Sequence, residues 1–249
     1  MLDKSATGDA NGPRKRIEAL DTLRGFTILS MVGFHAAYDL AYIFGQPISW
    51  FTSGFAQELW RITISWTFLA LAGWMCAFSR NNVRRSIIYA AAALLVWVAT
   101  SLAAVDAAVN FGILFCMAAS TFIWAMAERL MPAALDRLPA VPTTVTLLAL
   151  FIGTRGIPLE RYPVEGLAWL GFPSASFVSG DYYPLLPFAF LYLATAFASR
   201  RFTLDRRPYP SWLMRDWLPP LTALGRMSLP IYLVHQPLIL AALQAIFST

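Results

Sequence analysis

The first long apolar segment carries four ionisable side chains: Asp21, Arg24, His35 and Asp39. Arg24 and His35 are eleven residues apart, close to three turns of an α-helix, so they share one face and lie about 16 Å apart along its axis. Ionisable groups at membrane depth are costly and by default mark functional sites. A histidine with a carboxylate one turn further on is typical of a general base, which predicts that His35 is catalytic and that Asp39 orients its ring.

The last apolar segment holds the second of the two histidines, His235. Ser228, Tyr232 and His235 recur there at helical spacing and therefore share a face. Pro230 and Pro237 interrupt the backbone hydrogen bonds of such a helix and can open a cavity. Both a ligand-binding face and a kinked helix that packs through polar groups fit this pattern.

His35 and a further acidic residue, Asp181, also have purely structural interpretations. Histidines in helix bundles often hydrogen-bond to a neighbouring helix without any role in chemistry. Asp181 stands just before another apolar segment, where it either caps that helix or points into the same outer cavity as His35. The residues alone leave these alternatives open.

Composition decides which class of protein positions these side chains. The 249 residues are 58% hydrophobic and only 13% charged, with a mean hydropathy of +0.57, whereas soluble domains carry about 25% charged residues. Several stretches of about 17 to 25 residues have almost no charge, enough to cross a hydrocarbon layer of ~30 Å. The sequence therefore predicts an all-α, polytopic transmembrane helix bundle. A nucleic-acid-binding protein, a secreted disulfide scaffold and a cytosolic enzyme are excluded.

About seven spans are predicted, of which the short fifth is the weakest. Their approximate bounds are 21–44, 60–79, 85–104, 109–128, 141–155, 183–199 and 222–247. Residues 1–15 are expected to be a disordered cytoplasmic tail and residues 16–249 one transmembrane domain. The basic residues fall mostly on one side of these spans, and only Arg61, Arg155 and Arg161 fall on the other. Short loops rich in Lys and Arg stay cytoplasmic, so the N-terminus is predicted to be inside.

Four motifs resemble the transmembrane acyltransferases, and within them the bacterial members of the heparan-alpha-glucosaminide N-acetyltransferase catalytic-domain family. A basic residue, ten residues and a histidine, as in Arg24 to His35, form the signature of the related acyltransferase-3 branch. The first motif runs from Arg16 to Leu40, and the others are Asn110-Phe-Gly112-Ile-Leu, Asp181-Tyr-Tyr-Pro-Leu-Leu-Pro and the stretch from Leu224 to Pro237. The resemblance covers nearly all of residues 16–240.

The resemblance implies transfer of an acetyl or other short acyl group from cytoplasmic acyl-CoA, usually acetyl-CoA, to an extracytoplasmic acceptor. His35 would deprotonate the acceptor or briefly carry the acyl group, and Asp39 or Asp181 would orient it. The implied cofactor-binding residues are Arg24, Arg226, Asn110, Ser228, Tyr232 and His235. The acceptor would be a sugar, glycan or lipid headgroup, and no metal and no nucleic acid is expected. A bacterial inner-membrane location in contact with lipid is implied, and a homo-oligomer is compatible with the sequence.

The chain departs from this pattern at Phe115, where family members usually have a histidine. It also has no large extracytoplasmic domain, so a glycosaminoglycan acceptor is not implied. Two other classes remain. In a small transporter or flippase, the line of Asp, Arg and His side chains on the first span would form a path for protons or substrate. That interpretation predicts paired inverted repeats. A non-catalytic scaffold of an envelope-synthesis complex predicts that His35 is dispensable.

Overall fold

The structure is a computed structural model that describes residues 17–103, 107–205 and 208–247. The predicted tail, residues 1–15, lies outside these ranges. The helices are α1 (Glu18–Tyr38), α2 (Ser49–Thr52), α3 (Phe55–Trp74), α4 (Asn82–Ala103), α5 (Ile113–Leu130), α6 (Pro132–Arg137), α7 (Ala140–Gly153), α8 (Leu185–Leu204), α9 (Pro219–Arg226) and α10 (Ser228–Phe247). Within the described ranges no strand forms, apart from one isolated bridge between Tyr162 and Ser174.

Six helical segments of the described chain are long and apolar enough to cross a membrane. They are Glu18–Ile43, Phe55–Phe78, Asn82–Ala103, Ile113–Leu130, Ala140–Leu159 and Ser228–Phe247. The prediction of an all-α, multi-pass membrane bundle is thereby confirmed. The predicted sixth span corresponds to α8, which has 20 residues but falls outside this set. A count of about seven spans and a cytoplasmic N-terminus stay predictions.

Two predicted spans have different bounds in the structure. The span expected over 222–247 is divided at Met227 into α9 and α10, which begins at Ser228. Pro230 lies in the first turn of α10, where proline is tolerated because the N–H that it lacks has no partner within the helix. The span expected over 109–128 begins at Ile113. The Asn110–Gly112 motif therefore lies in the loop before α5 and not in a membrane helix.

Helix α8 lies at the centre of the bundle, where it packs against α3, α5 and α7. Buried side chains from these helices, among them Leu69, Trp124, Tyr192 and Phe197, form the main core. Helix α1 packs against α3, α9 and α10, while α4 packs mainly against α5. Most of the surface of α4, α7 and α10 is exposed. Apolar helices of this kind need lipid around them, as expected for spans at the rim of a bundle.

Helices α1 and α9 touch backbone to backbone. A Cβ atom added to Gly25 would lie 1.8 Å from the carbonyl oxygen of Leu221, and one added to Gly225 would lie 1.8 Å from that of Asp21. Beside this contact the hydroxyls of Thr22 and Thr222 are 2.8 Å apart. Small residues at such crossings allow helices to approach closely in membrane proteins. The contact fixes the end of α1 that carries Arg24.

Candidate active site

The predicted polar stripe of α1 begins in a charged cluster shared with α9. Arg24 donates to Asp21 at 2.9 Å, and Nε of Arg226 lies 3.6 Å from the same carboxylate. Arg226 also forms an ion pair with Glu18. The structure thus brings Arg24 and Arg226 together at the carboxylate of Asp21, while their role in binding a cofactor stays a prediction.

The stripe continues to His35, which meets the second histidine. The ring centroids of His35 and His235 are 4.8 Å apart in an edge-to-face arrangement. His35 is half-buried, whereas His235 is buried. Among the described residues His35 makes no hydrogen bond, so its ring nitrogens are available to a substrate.

The hydrogen bond of His235 fixes the state of its ring. Its Nδ1 atom lies 2.6 Å from the carbonyl oxygen of Tyr232. A carbonyl only accepts, so Nδ1 carries the proton and, in the neutral ring, Nε2 carries the lone pair. That Nε2 atom is buried and has no hydrogen-bond partner in the described part of the chain. An unsatisfied buried acceptor is costly and is suited to a donor group on a ligand.

Asp39 is held by the residue that follows His235. Its buried carboxylate accepts hydrogen bonds from Nε2 of Gln236 at 2.9 and 3.0 Å. The carbonyl oxygen Oε1 of Gln236 is a second buried acceptor without a partner within the described ranges. Asp39 opens a π-helical turn, Asp39–Ile43, a distortion that is frequent at functional sites. No hydrogen bond from His35 to Asp39 is seen among the described residues, and the Gln236 bonds join α10 to the end of α1.

Two cavities meet at Tyr232, whose ring lies 5.5 Å from that of His235. A small one of about 60 Å³ is lined by Arg24, Arg85, Ser228 and Tyr232, with apolar side chains between them. A larger one of about 670 Å³ lies along α4 and α5 and is lined mostly by apolar groups. Tyr232 and Leu114 line both. The histidine pair, an arginine-lined passage and an apolar cavity therefore adjoin at one side chain.

Asn110 is occupied by structural contacts. Its side-chain oxygen accepts from Nε1 of Trp97 at 3.0 Å, and its side-chain nitrogen donates to the carbonyl of Val178 at 3.1 Å. These bonds tie the loop before α5 to α4 and to the long loop before α8. Asn110 lines the large cavity, but the implied binding of a cofactor by its side-chain amide would require one of these bonds to open.

Asp181 lies in the same loop junction. One carboxylate oxygen accepts from the backbone N–H of Ile113 at 3.2 Å, and a Cβ atom added to Gly112 would come within 2.8 Å of it. Asp181 therefore satisfies an N–H group at the start of α5, rather than capping α8 or orienting His35. Burial raises the pKa of Asp181 to about 6, although the Ile113 N–H and the nearby Arg61 guanidinium act in the opposite direction.

The raised pKa of Asp181 predicts a pH-dependent stability. Between about pH 4, where carboxyls titrate in unfolded chains, and pH 6, the folded protein holds a proton that the unfolded chain has lost. The free energy of unfolding should therefore fall as the pH rises through this window. In Asp181→Asn this decline should be absent or smaller, as measured by thermal melting in detergent at pH 4.5 and 7. Glu160→Gln, which changes an exposed carboxylate of the same loop, is the control, and an unchanged profile in Asp181→Asn would contradict the assignment.

Arg85 is a site residue that sequence reasoning misses. From the sequence it is one of several basic residues next to a predicted span, but in the structure it lies in the first turn of α4 and lines the small cavity. It donates to the hydroxyl of Tyr89 and to the carbonyl of Ala72, and no carboxylate of a described residue pairs with it. The sequence signal that could have identified Arg85 is its spacing from Tyr89, which places the two on one helical face. Arg84 is exposed in the structure.

The described residues were also compared with the ligand groups that metal ions need. Within residues 17–103, 107–205 and 208–247, no three His, Cys, Asp or Glu side chains group in a way that could hold an ion. The two cysteines, Cys76 and Cys116, are buried and unbridged.

Comparison with known proteins gives one match. The family model described as "Heparan-alpha-glucosaminide N-acetyltransferase, catalytic" matches residues 16–237, which include every residue of the site described above. No curated protein and no solved structure matches the chain.

Proposed function

The chain belongs to the heparan-alpha-glucosaminide N-acetyltransferase catalytic-domain family, and from this premise we propose that it is an acyl-CoA-dependent acyltransferase of the bacterial inner membrane. The family implies transferase activity with acetyl-CoA as donor. The acyl group would be acetyl or another short chain, taken from the cytoplasmic side. The acceptor would be an extracytoplasmic sugar, glycan or lipid headgroup.

The observation that carries this proposal is the contact between His35 and His235 beside Tyr232, where the two cavities meet. Arg24 lies about 16 Å from His35 by the rise of the helix. One substrate can therefore contact the arginine cluster and the histidine pair at the same time. The spacing suits a long donor such as acyl-CoA, whose phosphates and thioester are far apart.

The size of the small cavity limits which part of the donor it can hold. A volume of about 60 Å³ accommodates a few water molecules and not a nucleotide. We place the nucleotide at the cytoplasmic mouth, where Arg226 is partly exposed next to Arg24. Planar guanidinium groups match phosphate oxygens there. Only the thiol end of the narrow pantetheine arm would enter the passage beside Arg85.

The chemistry assigned to the histidine pair is a single acyl transfer. The acceptor hydroxyl or amine attacks the thioester carbonyl, so a C–O or C–N bond forms and the C–S bond breaks. His35 takes the proton from the acceptor and returns it to the departing CoA thiolate. The unsatisfied acceptors on His235 and Gln236 would bind N–H or O–H groups of the substrates and hold them at the ring of His35.

Binding and transfer of radiolabelled acetyl-CoA by the purified chain test the proposal. The protein should bind acetyl-CoA, and free CoA should compete for the same site. It should also release the labelled acyl group to water or to an added mixture of sugars and lipid extracts. Folded protein without any affinity for CoA or its thioesters would contradict the proposal and would favour a transporter or a scaffold.

Arg85→Gln should raise the KM for acyl-CoA by about tenfold to a hundredfold, with a smaller effect on kcat. A hydrogen bond to a charged group contributes about 1.5–3 kcal/mol, and the variant removes a guanidinium that no described carboxylate neutralises. Initial rates of CoA release at varied acyl-CoA concentration measure the change. Arg84→Gln, one position earlier and exposed, is the matched control. Equal effects in both variants would show a general loss of surface charge instead of a binding role.

A further inference from the structure

The large cavity is far bigger than an acetyl group requires. Its volume of about 670 Å³ lies within the range of about 300–1,000 Å³ that is typical of pockets for drug-sized ligands. Along α4 its lining runs from Ser86 to Trp97, a length of about 16 Å at the rise of an α-helix. The cavity is therefore long and shaped to take an extended chain.

Small and apolar side chains create this space. The facing positions on α4 and α5 are alanines, namely Ala90, Ala93, Ala118 and Ala119. Phe115 and Phe122 complete the apolar wall, and the ring of Phe115 packs edge-on against Phe111 at 5.1 Å. The cavity is open toward the outside of the bundle along part of its length, where Leu94, Trp97 and Phe122 are exposed, and its apolar wall suits an apolar ligand.

The position of the cavity indicates which chain would fill it. It shares Leu114 and Tyr232 with the arginine-lined passage. These two side chains stand between the passage and the cavity, so a chain attached to a group in the passage would enter the cavity by passing them. The only substrate group that the proposed function places in the passage is the pantetheine arm, and the acyl chain is attached to its end.

We propose that the cavity between α4 and α5 holds the hydrocarbon chain of a donor acyl-CoA longer than acetyl, with the thioester at Tyr232. This inference rests on the proposed function, since it names the class of donor for that same site. Each methylene group buried in an apolar site strengthens binding about fourfold. The site should therefore prefer octanoyl-CoA to acetyl-CoA.

Equilibrium binding of CoA, acetyl-CoA and octanoyl-CoA to the purified chain in nanodiscs tests the inference without knowledge of the acceptor. The native protein should bind octanoyl-CoA at least about tenfold more tightly than acetyl-CoA. Ala93→Trp, which fills the cavity from α4, should remove this preference and keep the affinity for acetyl-CoA. Ala91→Trp introduces the same side chain at an exposed position of α4 and should behave like the native protein. Ala119→Leu is a smaller filling change from the opposite wall and should reduce the preference in part.

The outcomes separate this inference from the proposed function. Equal affinities for acetyl-CoA and octanoyl-CoA in the native chain, or a preference that Ala93→Trp and Ala91→Trp reduce alike, would overturn the cavity assignment and leave the acyltransferase proposal intact. A loss of all three ligands in Ala93→Trp alone, in protein that still melts cooperatively, would also overturn it and show a structural role for the cavity. Absence of binding by the native chain would overturn both.

Discussion

Replacement of His35 by glutamine is expected to lower the rate of acyl transfer by about 10²- to 10⁴-fold, the usual contribution of a positioned general base. The change keeps a polar side chain of similar length next to His235 but removes the group that accepts a proton. Affinity for acyl-CoA should change little, because Arg24 and Arg226 remain. Release of CoA from labelled acyl-CoA measures turnover, and titration of the same preparation measures binding.

The second histidine provides the comparison for this result. His235→Gln should cause a smaller loss of rate, since His235 is buried and donates to the Tyr232 carbonyl and would act by positioning substrate. An acyl group that stays on the native protein after a denaturing quench, and is absent in His35→Gln, would show that His35 carries the acyl group itself. Full activity of a folded His35→Gln protein would exclude both roles for His35.

Features that depend on one segment at a time could be predicted from the sequence. Hydropathy locates the membrane helices, and helical periodicity places Arg24 and His35 on one face of α1, because both signals are local to the segment. The family resemblance likewise rests on contiguous motifs, and the match over residues 16–237 confirms it. The assignment of individual site residues to catalysis or binding stays a prediction.

Contacts between distant segments could not be predicted. The approach of His35 to His235, and the hydrogen bonds from Gln236 to Asp39, join residues about 200 positions apart, and a single sequence contains no signal for such pairs. For Asn110, the sequence suggests a functional role, whereas the structure shows structural contacts. Its type and motif suggest chemistry, but its amide is occupied by Trp97 and Val178, which only the folded loops bring together.

Gly225→Ala is expected to destabilise the protein strongly and to abolish acyl-CoA binding, although alanine is the better helix former by about 1 kcal/mol. The added methyl group would lie 1.8 Å from the backbone oxygen of Asp21, and a backbone atom in a packed helix cannot move aside as a flexible side chain can. Overpacking of this kind usually costs about 1–3 kcal/mol and occasionally more. Separation of α9 from α1 would also disrupt the contacts that join Arg24, Asp21 and Arg226. Thermal melting in detergent, together with CoA titration, measures both effects.

Two further variants distinguish this steric effect from a general effect of the glycine-to-alanine change. Gly153→Ala changes the last residue of α7, where an added methyl group meets nothing within 4 Å, so it should melt at the native temperature or slightly above it. Gly25→Ala places its methyl group against the carbonyl of Leu221 at the same crossing and should behave like Gly225→Ala. Because both changes force apart the same pair of backbones, the double variant should lose less stability than the sum of the single losses. Strict additivity, or a native melting temperature in Gly225→Ala, would contradict the close approach of α1 and α9 as the contact that holds Arg24 and Arg226 in place.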